Sequence, residues 1–257
     1  MLQIKPIPAF QDNYFWLIEN GEETWIVDPG DASPVLKTLK SRERELTGIL
    51  ITHHHPDHIG GVAELLHPEL QIIGPQKSRY ELVNRAVSEG DTVRICGVEF
   101  NVMEVPGHTL NHLAYYAEPE NQAPVLFCGD TLFSAGCGRL FEGTPEQMYQ
   151  SLNRLQQLPE NTQTYCAHEY TQANLAFAQS VEPGNREIMV RMEEVATLRA
   201  QGIPSIPTNI QLENAVNPFL RTASPEIISS VMKNASLNAS PDQVDVFRQL
   251  RKMKDLF

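Results

Sequence analysis

Residues 48–58 read Gly48-Ile49-Leu50-Ile51-Thr52-His53-His54-His55-Pro56-Asp57-His58, an apolar run that breaks into imidazoles and a carboxylate. A short run apolar throughout suits a strand buried on both faces, so the pattern predicts a strand over Gly48–Thr52. Residues two apart on an extended chain point the same way, so His53 and His55 converge on one metal ion. Pro56 turns the chain, and Asp57 and His58 open the next helix facing a neighbouring position. Imidazole and carboxylate are the borderline donors that Zn²⁺ prefers, at about 2.0–2.2 Å. Four such donors within the six residues His53–His58 crowd a single tetrahedral ion that keeps an open position, and two ions are the economical reading.

The same arrangement recurs further along. Pro106-Gly107-His108-Thr109 ends a predicted strand over Glu99–Val105. Cys128-Gly129-Asp130-Thr131 ends Val125–Cys128, and Ala167-His168-Glu169-Tyr170 ends Thr162–Ala167. In open α/β sheets the edge beyond the strand ends is where sites collect. The donors divide naturally: His53, His55 and His108 on one ion, Asp57, His58 and His168 on the other, and Asp130 bridging. A lone strand-end histidine is an ordinary structural residue, whereas charge concentrated this densely requires a cation to compensate it. Of the remaining histidines, His54 is expected to face away, His67 to lie on the surface, and His112 to orient a ligand from behind.

Around these motifs lie two textures. Short apolar runs broken by Gly, Pro, Asn and Asp predict further strands at Tyr14–Glu19, Thr24–Val27, Gln71–Ile73 and His112–Tyr116. Between them, Ser33-Pro34 is read as an N-cap and first helical residue opening Val35–Lys40. Thr144-Pro145-Glu146-Gln147 is a capping box opening a helix to about Leu158. Strands and helices in this order predict an α/β sandwich. From about Thr171 the pattern is helical, with helices at Gln172–Gln179, Asn185–Gln201, Pro225–Asn234 and Pro241–Lys254 and no strong strand signal. The expected division is a catalytic domain over 1–168 and a helical appendage over 169–257.

The chain has 257 residues, 41% of them hydrophobic, and 20 basic against 32 acidic side chains, a net charge of −12. That length is ample for a buried core, and the composition is that of an ordinary globular protein. The acidic balance weighs against nucleic acid, and no apolar run approaches the ~20 residues of a membrane span. The opening Met1-Leu2-Gln3-Ile4-Lys5-Pro6 lacks the layout of a secretory signal. Cys96, Cys128, Cys137 and Cys166 form no C-x-x-C pair and read as reduced thiols, so a cytoplasmic location is expected.

Thr-His-His-His-Pro-Asp-His at 52–58, followed in order by Gly-His-Thr, Gly-Asp-Thr and Ala-His-Glu-Tyr, resembles the metallo-β-lactamase superfamily. Three further stretches resemble glyoxalase II (hydroxyacylglutathione hydrolase) within it: Gln11-Asp12-Asn13-Tyr14, the run Gly129-Asp130-Thr131-Leu132-Phe133-Ser134-Ala135-Gly136-Cys137-Gly138-Arg139, and the basic end Arg251-Lys252-Met253-Lys254-Asp255. The resemblance implies an αββα sandwich with a smaller C-terminal all-α domain. It also implies two divalent ions held as divided above, and hydrolysis of S-D-lactoylglutathione to D-lactate and glutathione in methylglyoxal detoxification. By the same resemblance, Arg251 and Lys254 contact the glycine carboxylate of glutathione, and Arg139 and Tyr170 contact other parts of it. Family habit implies a monomer. Many relatives carry Lys-x-Tyr where this chain has Arg139-Leu140-Phe141, which removes one hydroxyl contact.

The chemistry agrees with a thioester. Water shared by two ions has its pKa lowered from 15.7 toward ~7, and a thiolate leaving group of pKa ~8.5 needs no strong general acid. Asp57 is placed both to ligate and to hold the attacking water, and Asp130 to fix the spacing of the ions. Zn²⁺ is favoured by donor type, with Fe and Mn also suited. The expected partner is a small glutathione thioester. Three rivals remain: a mononuclear iron persulfide dioxygenase of the same superfamily, another metallo-β-lactamase-like lactamase or nuclease, and a non-catalytic metal-bound module. Structural zinc sites are usually closed by thiolates, which disfavours the last.

Overall fold

A computed structural model describes residues 1–76, 80–234 and 241–257. The chain forms two compact units, Met1–Val105 with Asn111–Gly129, and Pro106–Leu110 with Asp130–Phe257.

In the first unit a six-stranded sheet runs β1 (Gln3–Ala9), β2 (Asn13–Glu19), β3 (Thr24–Val27), β4 (Gly48–Leu50), β5 (Gln71–Pro75) and β6 (Arg85–Val87) in that spatial order. It is antiparallel through β3 and parallel beyond. Every residue of β2, β3 and β4 is buried, because both faces are covered. Phe15, Leu17, Ile26 and Ile49 pack with Val35 and Leu39 of α1 (Ala32–Arg42) and with the 3-10 turn Val62–Leu65. Alternate residues turn the other way. There the meander β7 (Thr92–Ile95), β8 (Val98–Glu104), β9 (Leu113–Ala117) and β10 (Val125–Gly129) covers them, with Tyr115 donating its hydroxyl to the Ile51 carbonyl at 2.7 Å.

Departures from the sequence reading have local causes. β1 carries Pro6 and Pro8, which mask its alternation, yet it lies at the sheet edge, where a strand tolerates prolines. The α1 cap is Asp31, whose carboxylate accepts from the Ser33 amide at 2.8 Å, so the helix starts earlier than Ser33 and Pro34 sits within its first turn. β4 stops at Leu50 rather than Thr52, because the Thr52 amide leaves the sheet for a carboxylate described below. α2 is the four-residue Pro56–Ile59.

The second unit begins with the hairpin β11 (Leu132–Phe133) and β12 (Gly136–Cys137) and continues through α3 (Pro145–Gln156), β13 (Gln163–Cys166), α4 (Thr171–Val181) and α5 (Arg186–Ala200). β14 (Thr208–Asn209), α6 (Ile210–Val216), α7 (Pro225–Asn234) and α8 (Gln243–Leu256) complete it. The expected capping box at Thr144 and Gln147 is present. β14 is a strand where none was expected; its two residues are too few for a periodic signal, and it pairs with β13. α6, also unanticipated, is seven residues capped by Asn209. Leu175, Ala178, Ile188, Val195 and Val216 form the core of this unit. Among the described residues no helix is long and apolar enough to cross a membrane, and all four cysteines are buried free thiols.

Buried Glu182 anchors the loop between α4 and α5, accepting from Arg221 at 2.8 and 2.9 Å and from Asn185 at 2.8 Å. Burial pushes its carboxyl up, but the hydrogen bonds from Arg221, Ser224 and Asn185 outweigh that and hold it below its ordinary value. A depressed folded pKa means the stabilisation is present above the ordinary value of 4.5 and lost as pH falls through the folded value. Acid unfolding followed by circular dichroism is therefore expected to flatten in that window in Glu182→Gln.

Gly48 faces Trp25 across the parallel β3–β4 register, and a Cβ there would stand 2.2 Å from the indole ring. Gly48→Ala is expected to cost about 1–3 kcal/mol by overpacking, read as a lower urea midpoint at an unchanged slope.

Candidate active site

The histidine loop of the first unit is organised by a residue outside it. Asp28 ends β3 with φ 51°, and its Oδ1 accepts the Thr52 amide at 2.7 Å. Its Oδ2 accepts both the Thr52 hydroxyl at 2.6 Å and the Nδ1–H of His58 at 3.0 Å. Because the Thr52 proton is committed to Asp28, its oxygen is left to accept Nδ1–H of His53 at 3.0 Å. Both histidines are thereby held in the tautomer that leaves Nε2 unprotonated, with its lone pair able to ligate a metal.

The donors then meet at ligand spacing. Nε2 of His53 and Nδ1 of His55 are 3.1 Å apart, and Nε2 of His58 is 3.4 Å from Oδ2 of Asp57. Two donors each 2.0–2.1 Å from a tetrahedral ion are separated by about 3.3 Å, so these spacings suit a divalent metal. Asn13 donates its amide to the same Asp57 oxygen at 3.1 Å. Asp28, His53 and His58 also place potential ligand atoms within 4.8 Å of one another. Asp28 is nevertheless a support, since the Thr52 and His58 bonds occupy its oxygens. Gly30 allows the loop to close, because a Cβ there would fall 1.9 Å from the Asp57 carbonyl oxygen.

The second unit holds the other three predicted donors. His108 gives its Nδ1–H to the Arg139 carbonyl at 2.8 Å, leaving Nε2 3.4 Å from Asp130 Oδ2. His168 Nε2 is also 3.4 Å from that oxygen. One carboxylate oxygen thus faces two imidazoles at ligand spacing, the arrangement expected of a bridging group. Aromatic rings back both: Phe141 stands edge-on to His108 at 5.3 Å, and Tyr170 stacks on His168 at 4.7 Å.

A cavity of about 480 Å³ in this unit is lined by Asp130, Arg139, Tyr170, Arg251 and Lys254, so the four predicted substrate contacts share one space. Phe133, Phe141 and Cys137 complete much of its wall. Arg251 is buried, with one nitrogen on the Cys137 carbonyl at 2.8 Å and another on Asp255 at 3.0 Å, and its charge lies 5.1 Å from the centre of the Phe219 ring. Arg248, in contrast, is spent on Glu146 and Asp245. Arg139 is exposed and 3.7 Å from Asp255. Burial, and then the neighbouring Arg251 and Arg139 charges, lower the Lys254 ammonium below its ordinary value. Burial pushes the Cys137 thiol up to about 11, against the pull of Arg251, so it stays protonated and is no nucleophile.

Of the remaining histidines, His112 stacks on His53 at 4.6 Å, His54 lies edge-on to His55, and exposed His67 meets the Leu46 carbonyl at 2.9 Å. Sequence reasoning passed over Asp28 and gave Asn13 no role. The signal for Asp28 was available, since Asp28 follows the apolar strand Thr24–Val27 as Asp130 follows Val125–Cys128.

The metallo-β-lactamase superfamily model matches residues 10–69. Among solved structures, ETHE1 from Myxococcus xanthus aligns with a TM-score of 0.64 at 23% identity, covering 100% of this chain and 99% of that one. A chain solved in a di-iron-bound form aligns at 0.60 and 26% identity, covering 85% and 100%. The fold is therefore that of the metallo-β-lactamase class, an α/β sandwich, here followed by a helical C-terminal region, and its histidine and aspartate clusters suit divalent metal. The model for the hydroxyacylglutathione hydrolase C-terminus matches residues 169–257. Hydroxyacylglutathione hydrolases of Vibrio cholerae and Methylobacillus flagellatus are 51% and 50% identical, each over the full length of both chains. The chain belongs to the hydroxyacylglutathione hydrolase family.

Because Asp28 sets both tautomers in the histidine loop, Asp28→Asn is expected to keep the fold while weakening metal binding about 10–100-fold. Competition against a chromogenic chelator measures this, and unchanged affinity would return Asp28 to a purely structural role.

Proposed function

We propose that this chain hydrolyses S-(2-hydroxyacyl)glutathione thioesters, chiefly S-D-lactoylglutathione, to the hydroxy acid and glutathione. The observation that carries the reading is full-length identity of about half to hydroxyacylglutathione hydrolases. One cavity that gathers an acid, three cations and a tyrosine supports it. In this reading residues 1–168 are the catalytic domain and 169–257 the substrate-holding domain.

We assign His53, His55 and His108 to one ion and Asp57, His58 and His168 to the other, with Asp130 bridging and Zn²⁺ as the metal. When bound, two such ions supply Lewis acidity and a water acidic enough to ionise near neutral pH. The protein's part is preorganisation. Asp28 and Thr52 fix imidazole tautomers, and the Arg139 carbonyl orients His108. Asn13 holds Asp57, which in turn holds the attacking water against the acyl carbon. Glutathione carries two carboxylates, and Arg139, Arg251 and Lys254 meet them while the Tyr170 hydroxyl contacts the peptide. The leaving thiolate departs without a strong acid, consistent with a cavity whose only thiol stays protonated. The place of action is the cytoplasm, the working form a monomer, and neither nucleic acid nor membrane is a partner.

Loss of thioester absorbance with S-D-lactoylglutathione, measured with a metal count on the same preparation, tests the reading. Rapid hydrolysis with two ions per chain is expected. One iron per chain with oxygen uptake would replace it with a persulfide dioxygenase, and two ions without hydrolysis would redirect the substrate. Asp130→Ala is expected to lose nearly all turnover. Arg251→Ala should chiefly raise KM, by roughly tenfold or more, as a desolvated charge pair is lost.

A further inference from the structure

The hairpin β11–β12 begins just after Asp130 and ends just before Arg139, whose carbonyl orients His108. Its turn, Phe133-Ser134-Ala135-Gly136, holds Ala135 at φ 54°, a region that a non-glycine residue enters at a cost. Two paired residues per strand are far too few to impose that conformation.

Side chains from two helices impose it instead. Glu213 of α6 accepts the Ala135 amide at 2.8 Å on Oε2. The Asn217 side-chain amide donates to the same oxygen at 2.9 Å, to the Gly136 carbonyl at 2.9 Å and to the Phe133 carbonyl at 3.2 Å. Asn174 of α4 donates to the Ser134 carbonyl at 3.0 Å. Thr208 donates to the other Glu213 oxygen at 2.9 Å. Glu213 and Asn217 are fully buried, and an acid there is expensive unless every lone pair is used. Burial pushes the Glu213 carboxyl above its ordinary value, and the Asn217, Ala135 and Thr208 bonds oppose it.

Resting on the hydrolase reading above, we infer that Glu213 is a positioning residue for thioester hydrolysis: it clamps the 133–136 turn and so sets where the hairpin places Asp130 and the Arg139 carbonyl. The hairpin transmits the constraint without slack. The Gly138 amide bonds the Thr131 carbonyl at 3.3 Å, and a Cβ on Gly138 would stand 2.0 Å from the Asp130 carbonyl oxygen. A turn that relaxes therefore moves Asp130 with it, and misplacement by about 1 Å costs roughly 100-fold in rate.

The charge itself is not what the clamp needs. A glutamine at 213 can turn its oxygen to Ala135 and Asn217 and donate its amide to the Thr208 oxygen. Glu213→Gln is thus expected to keep kcat/KM within about threefold of wild type, whereas Glu213→Leu, with no acceptor for the buried Ala135 amide, should lose roughly 100-fold. In the metal-loaded protein, hydrogen exchange over residues 132–137 should quicken at least ~10-fold in Glu213→Leu and not in Glu213→Gln. Val35→Ala, a cavity variant in α1, serves as the control for a general loss of stability and should leave both readouts unchanged. Wild-type exchange in Glu213→Leu, or a Glu213→Gln as impaired as Glu213→Leu, would overturn the inference. If Glu213→Leu does not accumulate folded, Asn217→Ala removes the bonds to the Phe133 and Gly136 carbonyls of the same turn and takes its place under the same two readouts. A wild type that hydrolyses no glutathione thioester would overturn the functional reading alone, since the exchange comparison still decides the clamp.

Discussion

Buried Asp28 binds three hydrogens on two oxygens, and the tautomers of His53 and His58 follow from that. A buried carboxylate in an apolar strand layer is unfavourable unless donors surround it. Here the donors are the Thr52 amide, the Thr52 hydroxyl and the His58 ring, so the acid is satisfied only when Thr52 leaves the sheet. That departure ends β4 at Leu50 and starts the loop carrying His53, His55, Asp57 and His58. Strand length and two imidazole tautomers are thus consequences of one buried side chain.

The second unit solves the corresponding problem with backbone. His108 is oriented by a peptide carbonyl, and Asp130 is oriented by the hairpin it starts. A peptide group titrates nowhere near neutrality and has no rotamers to lose, but its position is only as good as the loop that carries it. The buried amide and carboxyl groups of Asn174, Glu213 and Asn217 accordingly gather on a four-residue turn remote in sequence from all three. Burying that much polarity weakens the core unless the bonds are made, and here both Glu213 oxygens and the Asn217 amide find partners in or beside the turn.

The donors were legible because they obey a rule visible in one dimension: an apolar strand, then a histidine or aspartate. His53, His55, Asp57, His58, His108, Asp130 and His168 all follow it, and the structure brings them together within each unit at ligand spacing. Asp28 obeys it too and was passed over because it stands alone. What stayed hidden depends on contacts remote in sequence. Nothing near Glu213 announces that its partner is the amide of Ala135, and apart from the family resemblance nothing in Arg251 distinguishes it from Arg248 along α8. One is buried against Phe219 and the other is spent on Glu146, a physical distinction that tertiary packing makes. The short elements β11, β12 and β14 escaped because two residues carry no period.

The acidic surface bears on how the proposed substrate is held. A chain of net charge −12 repels a glutathione carboxylate at long range. Screening limits that repulsion to about 8 Å at physiological salt, so within the cavity the nearest charges decide. There Asp255 draws Arg251 and Arg139 toward one point, and Lys254 sits between aromatic rings with its charge already disfavoured by burial and by its neighbours. A carboxylate entering the cavity relieves that crowding of cations, whereas a neutral ligand of the same shape leaves it in place. On the proposed reading that difference favours an acidic carrier, and it acts on binding rather than on the bond that breaks. The Phe133, Phe141 and Tyr170 rings that share the cavity wall carry no charge, so they add nothing to that preference for an acidic carrier.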